Sequence, residues 1–182
     1  MHFLNARLHK PSGISIIERE VPAQGLGTYS IEEVRDIENN LRTQFSTDNT
    51  LDVFVFFAEE SNESDAGSRV VLGTAYRNTS LVMFQKTIEE FSGGLNEPSR
   101  ENVESTVYQH EFCHIMGLVN IGTALQSSHE DDANNGHCDV DGCLMSAQLE
   151  AFNPLDMLSV VGSSVAQLEA QCILDLQANG GK

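Results

Sequence analysis

In His110-Glu111-Phe112-Cys113-His114, two histidines stand four positions apart with a glutamate directly after the first. On an α-helix, residues four apart share one face, about one turn from each other. His110 and His114 can therefore turn two imidazoles toward one metal ion, at the roughly 2 Å Zn–N distance that zinc prefers. Glu111 lies beside that face. It can reach a water at the metal without being a ligand, which is the geometry a general base needs. Two helical histidines leave the coordination incomplete, because a catalytic zinc site takes three protein ligands and keeps one position open. Without a third ligand the same five residues are a surface helix carrying two solvated histidines.

His-Glu-x-x-His on a helix is the zinc-peptidase signature. Gly117, three residues after His114, is the residue type that ends a helix in the left-handed conformation. In the longer pattern His-Glu-x-x-His-x-x-Gly-x-x-His/Asp the last position supplies the third ligand. Here that position is Asn120, whose amide is a poor zinc ligand. His129 and His137 are the next histidines. The run His137-Cys138-Asp139-Val140-Asp141-Gly142-Cys143-Leu144-Met145 resembles the archaemetzincin run His-Cys-x4-Cys-x-Met. From His110 to Met145 the chain therefore resembles the metzincin zinc peptidases, and archaemetzincins most of all.

In archaemetzincins a methionine lies under the zinc eight residues after the third histidine. His137 stands eight positions before Met145, and His129 sixteen. The resemblance implies His137 as third ligand with His129 in reserve, residues 120–136 as an insertion, and Met145 as a floor beneath the site. It also implies a zinc-dependent endopeptidase with one catalytic Zn2+, in which Glu111 takes the proton of the attacking water. Archaemetzincins hold a structural zinc with a further Cys-x-x-Cys. This chain has only Cys172 beyond Met145, so no second ion is expected. The rival from another class is a non-catalytic zinc-binding module, its closed four-ligand site completed by Asn120 or His129. A second rival is an interaction domain whose histidines bind nothing.

The elements that must position these residues can be traced along the chain. Residues 1–8 read as the end of a helix cut at its start, and Ile14–Val21 has the apolar content of a strand. Ser30-Ile31-Glu32-Glu33 is a capping box, and Ile31, Val34, Ile37, Leu41 and Phe45 recur at helical spacing, which predicts a helix near 30–46. Leu51–Ala58 is almost wholly apolar, as an interior strand buried on both faces should be. Val70–Tyr76 predicts a strand with a bend at Gly73. Ser80–Phe84, extended toward Ile88, predicts another, and the resemblance makes Leu81–Phe84 the candidate edge strand that pairs with extended substrate. The zinc helix is predicted to start near Ser99, anchored by Val103, Val107 and Phe112. Residues 146–162 are poorly periodic, and the resemblance makes them the lining of a substrate pocket. Val165, Leu168, Cys172 and Leu176 predict a C-terminal helix. The expected fold is α+β, a metzincin-like zincin domain: a twisted mixed sheet, a zinc helix and a C-terminal helix. One catalytic domain spans 1–182, with sheet and zinc helix in 1–117. The insertion, third ligand, Met-turn and C-terminal helix fill 118–182.

A net charge of −17, from 27 acidic and 10 basic residues, argues against binding to phosphate backbones or anionic membranes. No apolar run approaches transmembrane length. The expected partner is a peptide or protein substrate, with no nucleic acid and no membrane insertion. Asp139-Val140-Asp141-Gly142 lacks the third carboxylate and distal glutamate of a calcium loop. Cys138 and Cys143 flank a short glycine-containing loop and are expected to bridge. That bond would place the protein in an oxidising, extracytoplasmic or secreted setting, with any leader absent from this chain.

Overall fold

The sequence opens with a short helix, α1 (His2–Arg7), and no regular element follows until Ser30. Ser30 caps α2 (Ile31–Leu41): its side chain accepts from Glu33 N–H at 3.2 Å, and Glu33 Oε2 accepts from Ser30 N–H at 2.8 Å. The helix stops four residues before Phe45. Arg42 leaves it in extended conformation and sinks its guanidinium, 6% exposed, among Glu38, Asp52, Thr79 and Ser80. Phe45 consequently stays in solvent. The structure, a computed structural model, describes residues 1–67, 69–152, 161–162 and 164–182.

Among the described residues the main sheet has three strands. They are β1 (Phe54–Ala58), β3 (Gly73–Arg77) and β4 (Ser80–Phe84), ordered β1-β4-β3. β4 runs parallel to β1 and antiparallel to β3. The short β2 (Val70–Val71) pairs antiparallel with β5 (Ala151–Phe152). All five residues of β4 are buried, and the period-two alternation of a strand divides them between two cores. Leu81 and Met83 pack with Val103 and Val107 of α4 (Arg100–Ile115). Val82 and Phe84 pack with Val34 and Ile37 of α2 on the other face. The sheet is thus clamped between two helices, an α+β arrangement.

Several expectations are corrected. β4 is the centre of the sheet, and the free edge on the α4 side is β3. β1 is the other edge, starting at Phe54 with Phe57 in solvent, so it is not a strand buried on both faces. Ile14–Val21 forms no strand, and Ile16 and Ile17 are exposed. After Phe84 the chain turns straight into α3 (Gln85–Glu90) instead of extending as strand. A C-terminal helix, α5 (Ala170–Ala178), is present. Residues 153–160 of the segment expected to line a substrate pocket lie outside the described residues.

Candidate metal centre

α4 begins where Ser99 Oγ accepts from Asn102 N–H at 3.2 Å, and Val103, Val107 and Phe112 anchor it in the core. Its approach to the sheet is close at Gly73, where an added Cβ would lie 2.7 Å from Val107 Cγ1 and 3.1 Å from Glu111 Cγ. The missing side chain lets the helix lie against β3 and brings Glu111 to the sheet edge. Below Val107 two polar residues, His110 and Glu111, are fully buried alongside Phe112 and Cys113.

Gly117 then ends the helix at φ +88°. A Cβ there would lie 2.7 Å from Thr123 N, so both the backbone conformation and the space require glycine. Val119 N–H donates to Gly136 O at 3.1 Å, so residues 120–135 leave and return to one place. That return delivers His137 to the helix histidines. The ring centres of His110, His114 and His137 lie 4.7, 5.0 and 5.4 Å apart.

Backbone carbonyls orient all three rings. His110 Nδ1–H donates to Leu144 O at 2.6 Å, His114 Nδ1–H to Leu118 O at 3.1 Å, and His137 Nδ1–H to Asn135 O at 3.3 Å. Each ring therefore keeps its Nε2 for the centre. The His110 and His114 Nε2 atoms are 3.1 Å apart, a separation suited to two neutral nitrogens sharing a cation. Glu150 joins them, its Oε2 2.9 Å from His137 Nε2. The ligand atoms of His110, His114, His137 and Glu150 all lie within 4.8 Å of one another, so these four residues could hold a metal ion.

The electrostatics suit a cation. Burial, reinforced by His114, pushes His110 down to about 3, and burial with His137 nearby pushes His114 down to about 4. Both rings are thus neutral and free to ligate. Burial would lower His137 too, but its contact with Glu150 outweighs this and raises it. Glu150 is held below its ordinary value by His137. Glu111 is lifted to about 8 by burial and by the Glu150 charge. Its Oε2 accepts from Ala75 N–H of β3 at 2.6 Å, while its Oε1 is buried without a partner among the described residues. A buried, half-satisfied carboxyl group beside a cluster of imidazoles is the arrangement of a proton-transfer group.

Met145 is fully buried next to this cluster in sequence, its carbonyl accepting from Cys138 N–H at 2.7 Å. Asn120 lies outside it, donating to Glu130 at 2.7 Å. His129 lies outside it too, with Nε2 2.8 Å from Asp175 Oδ2. Neither completes the coordination that the closed-site rival gave them. Glu150 was not singled out by sequence reasoning, because no spacing relative to the histidines marks it. The Cys138–Cys143 disulfide is not formed: all four cysteines are buried free thiols. The argument for an oxidising compartment rested on that bond. A cleft of about 420 Å³ opens beside Glu150, lined also by Thr74 of the edge strand, Val71, Arg69, Asn62 and Glu32. No helix among the described residues is long and apolar enough to cross a membrane.

A comparison with known proteins gives no match to a protein-family model, a curated protein or a solved structure.

Proposed function

We propose that this chain is a zinc-dependent endopeptidase of metzincin-like type, with His110, His114 and His137 as ligands and Glu111 as general base. The observation that carries this reading is the buried Glu111 Oε1, without a partner among the described residues, on the residue that follows His110 in the helix whose two histidines meet His137. When bound there, Zn2+ supplies Lewis acidity and makes water a competent nucleophile near neutral pH. Glu111 accepts the proton of the attacking water and returns it to the leaving amine. An extended peptide would pair along β3, an edge strand among the described residues, beyond the Ala75 N–H that Glu111 already occupies. The cleft beside Thr74 and Glu150 takes a side chain.

Glu150 favours a second reading, a closed four-ligand zinc module, because a structural site has no open position. One experiment separates the two. The zinc-loaded protein is incubated with a mixture of unstructured peptides, and the products are read by mass spectrometry with and without chelator. The peptidase reading expects chelator-sensitive cleavage, and a Glu150→Ala variant that keeps its zinc. No cleavage by the parent, together with zinc loss in Glu150→Ala, would establish the closed module instead.

A further inference from the structure

We propose that His129, Cys138, Cys143 and Cys172 form a second metal site, a buried tetrahedral Zn2+ centre separate from the three-histidine cluster. The ligand atoms of His129, Cys138 and Cys172 lie within 4.8 Å of one another, and all three residues are buried. Cys138 Sγ is 3.5 Å and Cys172 Sγ 3.9 Å from His129 Nδ1. Cys143 Sγ is 3.7 Å from Cys172 Sγ and also contacts Cys138. With Zn–S about 2.3 Å and Zn–N about 2.0 Å, donors at the corners of a tetrahedron stand roughly 3.5–3.8 Å apart. The three measured separations fall on or beside that range, and the Cys143–Cys172 sulfurs are far from the roughly 2.05 Å of a disulfide.

His129 has the second-shell partner expected of a zinc ligand. Its Nε2–H donates to Asp175 Oδ2 at 2.8 Å, which fixes the tautomer and aims the Nδ1 lone pair at the sulfurs. Asp175 is itself fully buried and satisfied, its Oδ1 accepting from Gln126 N–H at 2.6 Å. On the sulfur side, Met145 N–H donates to Cys143 Sγ at 3.4 Å, a bond that stabilises a thiolate. Three thiolates and one imidazole select zinc over magnesium or calcium, which take oxygen ligands. Each ligating thiol gives up its proton on binding, so loading releases three protons per ion.

The proposal departs from the expectation of one ion per chain. That expectation rested on a missing Cys-x-x-Cys, whereas the places are filled here by His129 from the 120–135 excursion and by Cys172 from α5. The centre would tie that excursion to the C-terminal helix. Because Cys138 directly follows His137, it would also hold the first site's third histidine in position.

Reconstitution with Co2+ tests the proposal independently of any peptidase activity. The parent protein is expected to take two equivalents and to show an intense near-ultraviolet thiolate-to-cobalt charge-transfer band. His137→Ala should keep that band while the three-histidine site is lost. Cys172→Ser should lose the band and bind one equivalent. Where a variant fails to fold, the parent decides: one equivalent without the charge-transfer band overturns the second site, and so does a Cys138–Cys143 or Cys143–Cys172 disulfide in unreduced protein. Failure of hydrolysis with the band present would overturn only the proposed reaction.

Discussion

His110, His114 and His137 each spend Nδ1–H on a backbone carbonyl, so three separate stretches of main chain aim one donor set. The four-residue step of the helix histidines was legible in sequence because a helix enforces it locally. His137 was legible only through its spacing to Met145, since nothing local reveals that residues 120–135 close on Val119 and Gly136. Glu150 was not legible: a 3-10 turn (Ala147–Leu149) and the pairing of β5 with β2 bring it in, and such long-range pairing leaves no periodic trace. The first prediction belongs at this scale. His137→Ala should weaken zinc at the three-histidine site by more than the roughly 10–100-fold typical of losing an outer-shell partner. Asn120→Ala should leave it unchanged, because Asn120 bonds Glu130. Zinc titration against a competing chelator reads both, and parental affinity in His137→Ala would refute the ligand assignment.

Periodicity located α2, and the His110–His114 step with the anchors Val103, Val107 and Phe112 located α4, but the strands were misjudged. Leu51–Ala58 is as apolar as an interior strand, yet β1 is an edge, since a strand's place in the sheet depends on partners distant in sequence. The end of α2 was missed for a related reason. The apolar stripe continues to Phe45, but burying the Arg42 guanidinium against Glu38 and Asp52 breaks the helix first. Burial alone would raise the Glu38 carboxyl; the bonds from Ser80 and Arg42 outweigh it and hold it below its ordinary 4.5. Its folded value is thus below its unfolded one, so Glu38 contributes stability above pH 4.5 and loses it as pH falls through the depressed value. Glu38→Gln should cost about 3 kcal/mol at pH 7, because Arg42 and Arg77 lose their shared buried partner. The deficit should shrink in acid. Thermal unfolding of parent and variant across pH checks this, and a gap equal at pH 3 and pH 7 would contradict it.

At the scale of the molecule, the sheet between α2 and α4 leaves β3 as an edge strand, among the described residues, beside the candidate metal centre. Glu111 bridges the two by bonding Ala75 N–H. A carboxyl group so placed touches both the strand that would hold a peptide and the space where water would attack. The α+β class was legible from alternating helical and strand patterns, while this junction depended on the close approach at Gly73. The net charge of −17 disfavours phosphate backbones and anionic lipid as partners. The most direct test is therefore the turnover of zinc-loaded Glu111→Gln beside the parent on one cleaved peptide, with zinc content measured in the same samples. Full zinc content with hydrolysis reduced at least about 100-fold is predicted, the scale of a lost general base. Parental turnover in the variant would contradict the account.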